Sequence, residues 1–158
     1  MAVGSGKFGH LHTVPGVRLG IASAGIKKVG RKDIVVFELA PGSSVAGVFT
    51  QNAFCAAPVT VAKSHIAGAE SRCLLVNTGN ANAGTGEQGM RDAKRCCEAL
   101  AELTSVSPEQ VLPFSTGVIG ESLPVDKILT ALPDALSDLS EDNWAAAASG
   151  IMTTDTRP

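Results

Sequence analysis

The chain contains no tyrosine, one tryptophan (Trp144) and five phenylalanines, so aromatics make up 4% of its 158 residues. A core must therefore be assembled from Val, Ile, Leu and Ala. Charge is sparse at 18% and nearly balanced, with a net −2. With no basic tract and few rings to stack on bases, nucleic acid is excluded as a partner. No apolar run approaches the ~20 residues that a membrane span requires. Met1 to Gly9 is glycine-rich and lacks the apolar segment of a signal peptide. The four cysteines, Cys55, Cys73, Cys96 and Cys97, match neither a zinc site nor a disulfide scaffold. They read as reduced small hydrophobes in a cytoplasmic protein. His10 and His12 have no carboxylate or thiol at ligand spacing, so no metal site is expected. No His-Ser or Cys-His motif marks a nucleophile with its base.

What is present is a globular composition: 44% hydrophobic residues and 17 glycines spread along the chain without a Gly/Ser linker. We expect one domain over residues 1–158. Val17, Leu19 and Ile21 alternate with Arg18 and Gly20, a strand signature. Residues 33–39 read as a second strand and 45–50 as a third, joined by a Pro-Gly-Ser-Ser turn into a hairpin. Residues 58–62 (P-V-T-V-A) read as a fourth strand, 72–77 as a fifth and 111–114 as a sixth. An amphipathic helix starts near Glu87, with Met90, Ala93, Cys97 and Leu100 on one stripe. Thr85 and Gln88 have the spacing of a capping box for it. Short helices are expected at 125–132, stopped by Pro133, and at 141–149 after Ser140, ending at Gly150. Residues 151–158 read as a strand or extended segment.

Three stretches can carry chemistry. Phe114-Ser115-Thr116-Gly117-Val118-Ile119-Gly120 runs from a strand into a turn. Glycine lets backbone approach a ligand closely, and backbone donors at such a site can form an oxyanion hole. The same residues also suit a plain tight turn. Asn77 to Gly89 leads from a strand to a helix N-terminus, where unpaired N–H groups favour an anion. Its three asparagines can equally brace a compact loop through their own backbone bonds. It contains G-x-G-x-x-G as Gly84, Gly86 and Gly89, but seven residues separate Val76 from Gly84, and no acidic strand end follows about 20 residues later. Dinucleotide binding is set aside on that spacing. Met152 to Thr156 places three hydroxyls and a carboxylate within four residues, suited either to a ligand amide or carboxylate or to a turn in which Asp155 caps or pairs with Arg157.

Five segments occur here in an order shared by one family: A-G-V-F-T-Q-N at 46–52, A-A-P-V at 56–59, N-T-G-N-A-N-A-G-T-G at 77–86, S-T-G-V-I-G-E at 115–121 and I-M-T-T-D-T at 151–156. From Val17 onward the chain resembles the α-chain of the ornithine acetyltransferases, or glutamate N-acetyltransferases, of arginine biosynthesis. One departure is Thr78 where the family usually has serine, which keeps the hydroxyl. The resemblance implies an α/β fold, a layered αββα sandwich of two sheets between helices. It implies a precursor that cleaves itself before a threonine, whose α-amino group serves as base. That β-chain threonine carries an acetyl group from N-acetylornithine to glutamate, and acetyl-CoA is a donor in some members. No cofactor is implied. By the same resemblance Thr116 and Gly117 form the oxyanion hole, Thr153 binds substrate, and the partner is the β-chain in an α2β2 heterotetramer. The family's α-chain is expected to continue some tens of residues beyond Pro158, so this chain alone is expected to be inactive. Two alternatives stay open: an aminopeptidase or D-esterase activity on the same fold, and a non-enzymatic small-molecule-binding module.

Overall fold

The computed structural model describes residues 8–155. Their frame is a four-stranded sheet in the order β1 (Val17–Ala22), β2 (Ile34–Leu39), β3 (Cys73–Asn80) and β4 (Val111–Val118). The first three strands are antiparallel neighbours, while β3 and β4 run parallel. A parallel pair needs a crossover. Here it is the helix α2 (Gly86–Thr104), followed by a single 3₁₀ turn at Pro108–Gln110. Helices α1 (Ala57–Gly68), α3 (Val125–Ser137) and α4 (Trp144–Gly150) complete the fold.

Strand alternation sends successive side chains to opposite faces, and the two faces bury different partners. Ile34, Val36, Cys73 and Leu75 pack with Val61 of α1, Cys96, Cys97 and Leu100 of α2, and Ile128 and Leu132 of α3. Burying Leu100 completely contributes about 1.5–3 kcal/mol. On the other face Leu19, Ile21 and Val35 pack with Ala147 of α4, flanked by Phe37, Val76 and Trp144. α4 is only seven residues long and covers only part of that face. Leu74 and Val76 stay half-buried and Phe114 is exposed.

The α/β class and the strands at 17–21, 33–39, 72–77 and 111–114 match expectation, as does the amphipathic α2. Several local readings do not. Residues 45–50 form no strand, and Val48 is fully exposed. β2 is already paired on both edges, so the hairpin forms with β1 instead and the 45–50 segment finds no free edge there. Residues 58–62 belong to α1, not to a strand. Pro58 sits at the helix start, where its missing N–H costs nothing, and Ala57, Val61, Ala62 and His65 make a buried helical stripe. α3 continues through Pro133 because Leu132 and Ala135, both fully buried, hold the following turn. The capping box at α2 does not form: Thr85 Oγ1 donates to Asn82 Oδ1 at 2.8 Å and Gln88 Nε2 to Asp92 Oδ1 at 2.7 Å. α4 starts at Trp144, three residues later than expected, and residues 151–155 form a turn and bend, not a strand. Arg157, considered as a partner for Asp155, lies outside the described residues.

Candidate active site

The carboxyl ends of β3 and β4 open into a pocket of about 600 Å³. Crevices beyond the carboxyl ends of parallel strands are habitual ligand sites. Thr78 and Gly79 of β3 form its floor with Thr116, Gly117 and Val118 of β4. Thr153 and Thr154 supply a second wall, and the β1–β2 loop supplies the third through Lys27, Lys28, Arg31 and Asp33. All three residues singled out from the sequence, Thr116, Gly117 and Thr153, thus line one pocket.

The pairing register explains the floor. Ser115, Thr116 and Gly117 stand opposite Asn77, Thr78 and Gly79, and the register then slips at Gly79/Asn80. At the rung before the slip both strands carry glycine with positive φ, +94° at Gly79 and +136° at Gly117. A Cβ on Gly117 would lie 2.3 Å from the Gly79 carbonyl carbon and 2.6 Å from Asn80 N. Glycine at 117 is what allows the two strands this close, while a Cβ on Gly79 would press on Lys27 Cγ at 3.1 Å and Ile26 Cγ2 at 3.2 Å of the β1–β2 loop.

Below and beyond that rung the asparagines form a continuous network. Ser115 Oγ donates to Asn77 Oδ1 at 2.6 Å, and Asn77 Nδ2 donates to Asn80 O at 2.9 Å. Asn80 Nδ2 reaches Glu121 O and Ser122 O at 3.2 and 3.1 Å, while its Oδ1 accepts from Asn82 N at 2.8 Å. Asn82 Nδ2 donates to Gly89 O at 2.9 Å, tying the loop to α2. Asn77, Asn80 and Asn82 are all buried, so these side chains brace the loop and do not meet the pocket. Thr78, between them, points to the other face and donates to Gly150 O at 3.3 Å.

The cationic wall rests on Asp33. This buried carboxylate accepts from Ala24 N at 2.6 Å and Ile26 N at 2.7 Å, one bond per oxygen. Asp33 therefore shapes the loop. Lys27 pairs with Glu121, and Arg31 donates through Nη2 to the carbonyl oxygens of Met152 and Thr153. With Lys27 matched by Glu121 and Asp33 already bonded to two backbone amides, Lys28 and Arg31 keep the lining net positive, which favours an anionic ligand. Among the described residues the lining holds no histidine and no cysteine. It offers hydroxyls, backbone amides and positive charge, the parts that stabilise a developing oxyanion, but no nucleophile with its base. Asp155 caps its own turn by accepting from Thr153 N at 3.1 Å.

Sequence reasoning missed Lys27, Lys28, Arg31 and Asp33. Their signal was four basic residues in six positions, Lys27, Lys28, Arg31 and Lys32, a short basic run between two strands that the reading of no basic tract passed over.

Residues 18–158 match the ArgJ family. The chain belongs to the ArgJ family. It is 68% identical over 158 residues to the arginine biosynthesis bifunctional protein ArgJ of Pseudomonas syringae pv. tomato, covering all of this chain and 39% of that protein. To the ArgJ protein of Methylococcus capsulatus it is 62% identical over 145 residues, covering 92% of this chain and 35% of that protein. The chain thus spans under two-fifths of the length of these curated relatives. Among solved structures, ornithine acetyltransferase complexed with ornithine from Mycobacterium tuberculosis superposes with a TM-score of 0.87 at 34% identity, covering 91% of this chain and 79% of that one. ArgJ of Bacillus halodurans gives 0.79 at 32% identity, over 90% and 74% of the two chains. The ArgJ fold and the α/β class expected from sequence therefore agree.

Proposed function

We propose that residues 1–158 are one domain, the α-chain portion of an ornithine acetyltransferase that moves an acetyl group from N-acetylornithine to glutamate in arginine biosynthesis. The observation that carries this reading is the convergence of Thr116, Gly117 and Thr153 on a cationic pocket whose described lining holds neither histidine nor cysteine. Both substrates carry carboxylates, which suit the wall formed by Lys27, Lys28 and Arg31. The nucleophile is then a threonine at the N-terminus of a β-chain released from the same precursor, with its α-amino group as base. Attack on the acetyl carbonyl produces a tetrahedral oxyanion at Thr116 and Gly117. Collapse expels the ornithine amine and leaves acetyl-threonine, and the glutamate amine then takes the acetyl group by the reverse sequence. Acetyl-CoA serves as a second donor through its thioester, and no cofactor takes part.

The partly uncovered sheet face, with Phe114 exposed and Leu74 and Val76 half-buried, supports a second sheet contributed by the β-chain. That completes the αββα sandwich and an α2β2 heterotetramer, and it leaves this chain inactive alone. Cys73, Cys96 and Cys97 are buried and unpaired, which supports a reducing, cytoplasmic setting. No helix among the described residues is long and apolar enough to cross a membrane.

The test is to supply the full-length protein with N-acetylornithine, with and without glutamate. Acetylglutamate formed in step with ornithine supports transfer. Ornithine and acetate released without regard to glutamate would instead mean a hydrolase on this fold.

A further inference from the structure

We propose that Ser115, Asn77 and Asn80 are positioning residues that fix the oxyanion hole from behind. The inference rests on the assignment of Thr116 and Gly117 above. It is drawn from what brackets those two residues. On the near side Ser115 is tied to Asn77 by a 2.6 Å hydrogen bond. On the far side Asn80 holds the turn after β4 through the carbonyls of Glu121 and Ser122. The two clamps join, because Asn77 Nδ2 donates to Asn80 O. Backbone bonds reinforce the far clamp: Ala81 N donates to Val118 O and Gly120 N to Ala83 O, each at 2.8 Å.

Between the clamps the ladder is irregular. The register slips at Gly79/Asn80, and Gly117 adopts φ +136°. Regular pairing fixes strand residues by itself, but a slipped rung does not. Thr116 and Gly117 occupy the last rungs before that slip, so the side-chain bonds on either side help to set where their amides point. Asn77 and Asn80 are 4% and 2% exposed, so water has little access to their side chains. None of the three touches the pocket, and their effect passes through the backbone they hold.

Asparagine suits these positions chemically. Each asparagine side chain offers donors and an acceptor together, and Asn80 uses both: Nδ2 toward the 121–122 turn and Oδ1 toward Asn82 N. Aspartate at position 80 would keep the acceptor and set an oxygen against two carbonyls.

The test uses Ser115→Ala, Ser115→Thr and Asn80→Asp in the full-length protein, with Thr116→Ala alongside. An oxyanion hole displaced by about 1 Å costs on the order of 10²-fold in rate. Ser115→Ala and Asn80→Asp are expected to lower kcat for acetyl transfer roughly 10–100-fold, with KM for N-acetylornithine unchanged. Ser115→Thr retains the hydroxyl and is expected to restore most of kcat. Wild-type kcat in Ser115→Ala overturns the proposal, as does a loss that Ser115→Thr fails to relieve or one carried by KM. Should Asn80→Asp not fold, the two Ser115 variants decide. If Thr116→Ala lowers kcat and Ser115→Ala does not, the positioning role fails alone. If neither changes kcat, the positioning role fails and the Thr116 hydroxyl is no donor, and wild-type kcat in a folded Gly117→Ala protein would take the oxyanion assignment with it.

Discussion

Replacing Gly117 by alanine adds a single methyl group at the most crowded point of the pocket floor. The new Cβ would meet the Gly79 carbonyl carbon at 2.3 Å, Asn80 N at 2.6 Å and Gly79 Cα at 2.7 Å. These are backbone atoms, so no side-chain rotation relieves the clash. Restoring ordinary carbon contact distances requires β3 and β4 to part by about 1 Å. A displacement of that size at a reacting centre costs on the order of 10²-fold in rate. Loss of the oxyanion donor itself would cost roughly 10²–10³-fold, or about 2.7–4 kcal/mol. Stability falls as well: about 1–3 kcal/mol for a side chain at φ +136° and about 1–3 kcal/mol for overpacking. The assay is kcat for acetyl transfer by the full-length protein, with urea unfolding measured in parallel. Gly42→Ala is the control. Gly42 also has positive φ, +81°, but nothing lies within 4 Å of its added Cβ, so stability falls while kcat holds. A folded Gly117→Ala protein with wild-type kcat would refute the placement of the oxyanion hole.

Thr153→Val removes a pocket hydroxyl at nearly constant volume, and loss of one hydrogen bond of about 0.5–1.5 kcal/mol raises KM for N-acetylornithine roughly 2–10-fold in steady-state kinetics. Asp33→Asn sets an amide group against the N–H of Ala24 or Ile26 and is expected to destabilise by about 1–3 kcal/mol in urea titration. Burial pushes the Cys96 and Cys97 thiols from their ordinary 9.0 up to about 12 and raises that of Cys73. Iodoacetamide on the folded chain should therefore label exposed Cys55 and spare the other three until urea is added. Because the folded state holds those protons more tightly, their contribution to stability is full below pH 9 and is lost as pH rises toward about 12. Unfolding curves at pH 8 and pH 10.5 should show the decline.

Strong periodicity made much of the frame legible. The stripe of Met90, Ala93, Cys97 and Leu100 can form only on a helix, and the alternation of Val17, Leu19 and Ile21 only on a strand. Short β-branched runs misled where tertiary context decided. Val59, Thr60 and Val61 favour a strand by propensity, yet one buried helical face holds them in α1. Residues 45–50 alternate well enough for a strand, but both edges of β2 are taken. Thr116, Gly117 and Thr153, which line the pocket, were singled out through the resemblance of their segments to one family, with the S-T-G pattern pointing to the first two. Asp33 escaped notice because its role depends on the amides of Ala24 and Ile26, contacts that arise only when the β1–β2 loop folds back. The asparagines of 77–82 read equally well as ligand contacts or as braces. Burial decides for braces, and burial of polar side chains has no local sequence signature.

The most direct measurement is intact mass of the acid-quenched full-length protein after brief exposure to N-acetylornithine without glutamate, with N-terminal sequencing of each species. The expected result is two chains, one beginning with threonine and heavier by one acetyl group, and loss of that mass when glutamate is added. A single uncleaved chain, or a threonine chain that never gains the acetyl group while acetylglutamate still forms, would contradict the account.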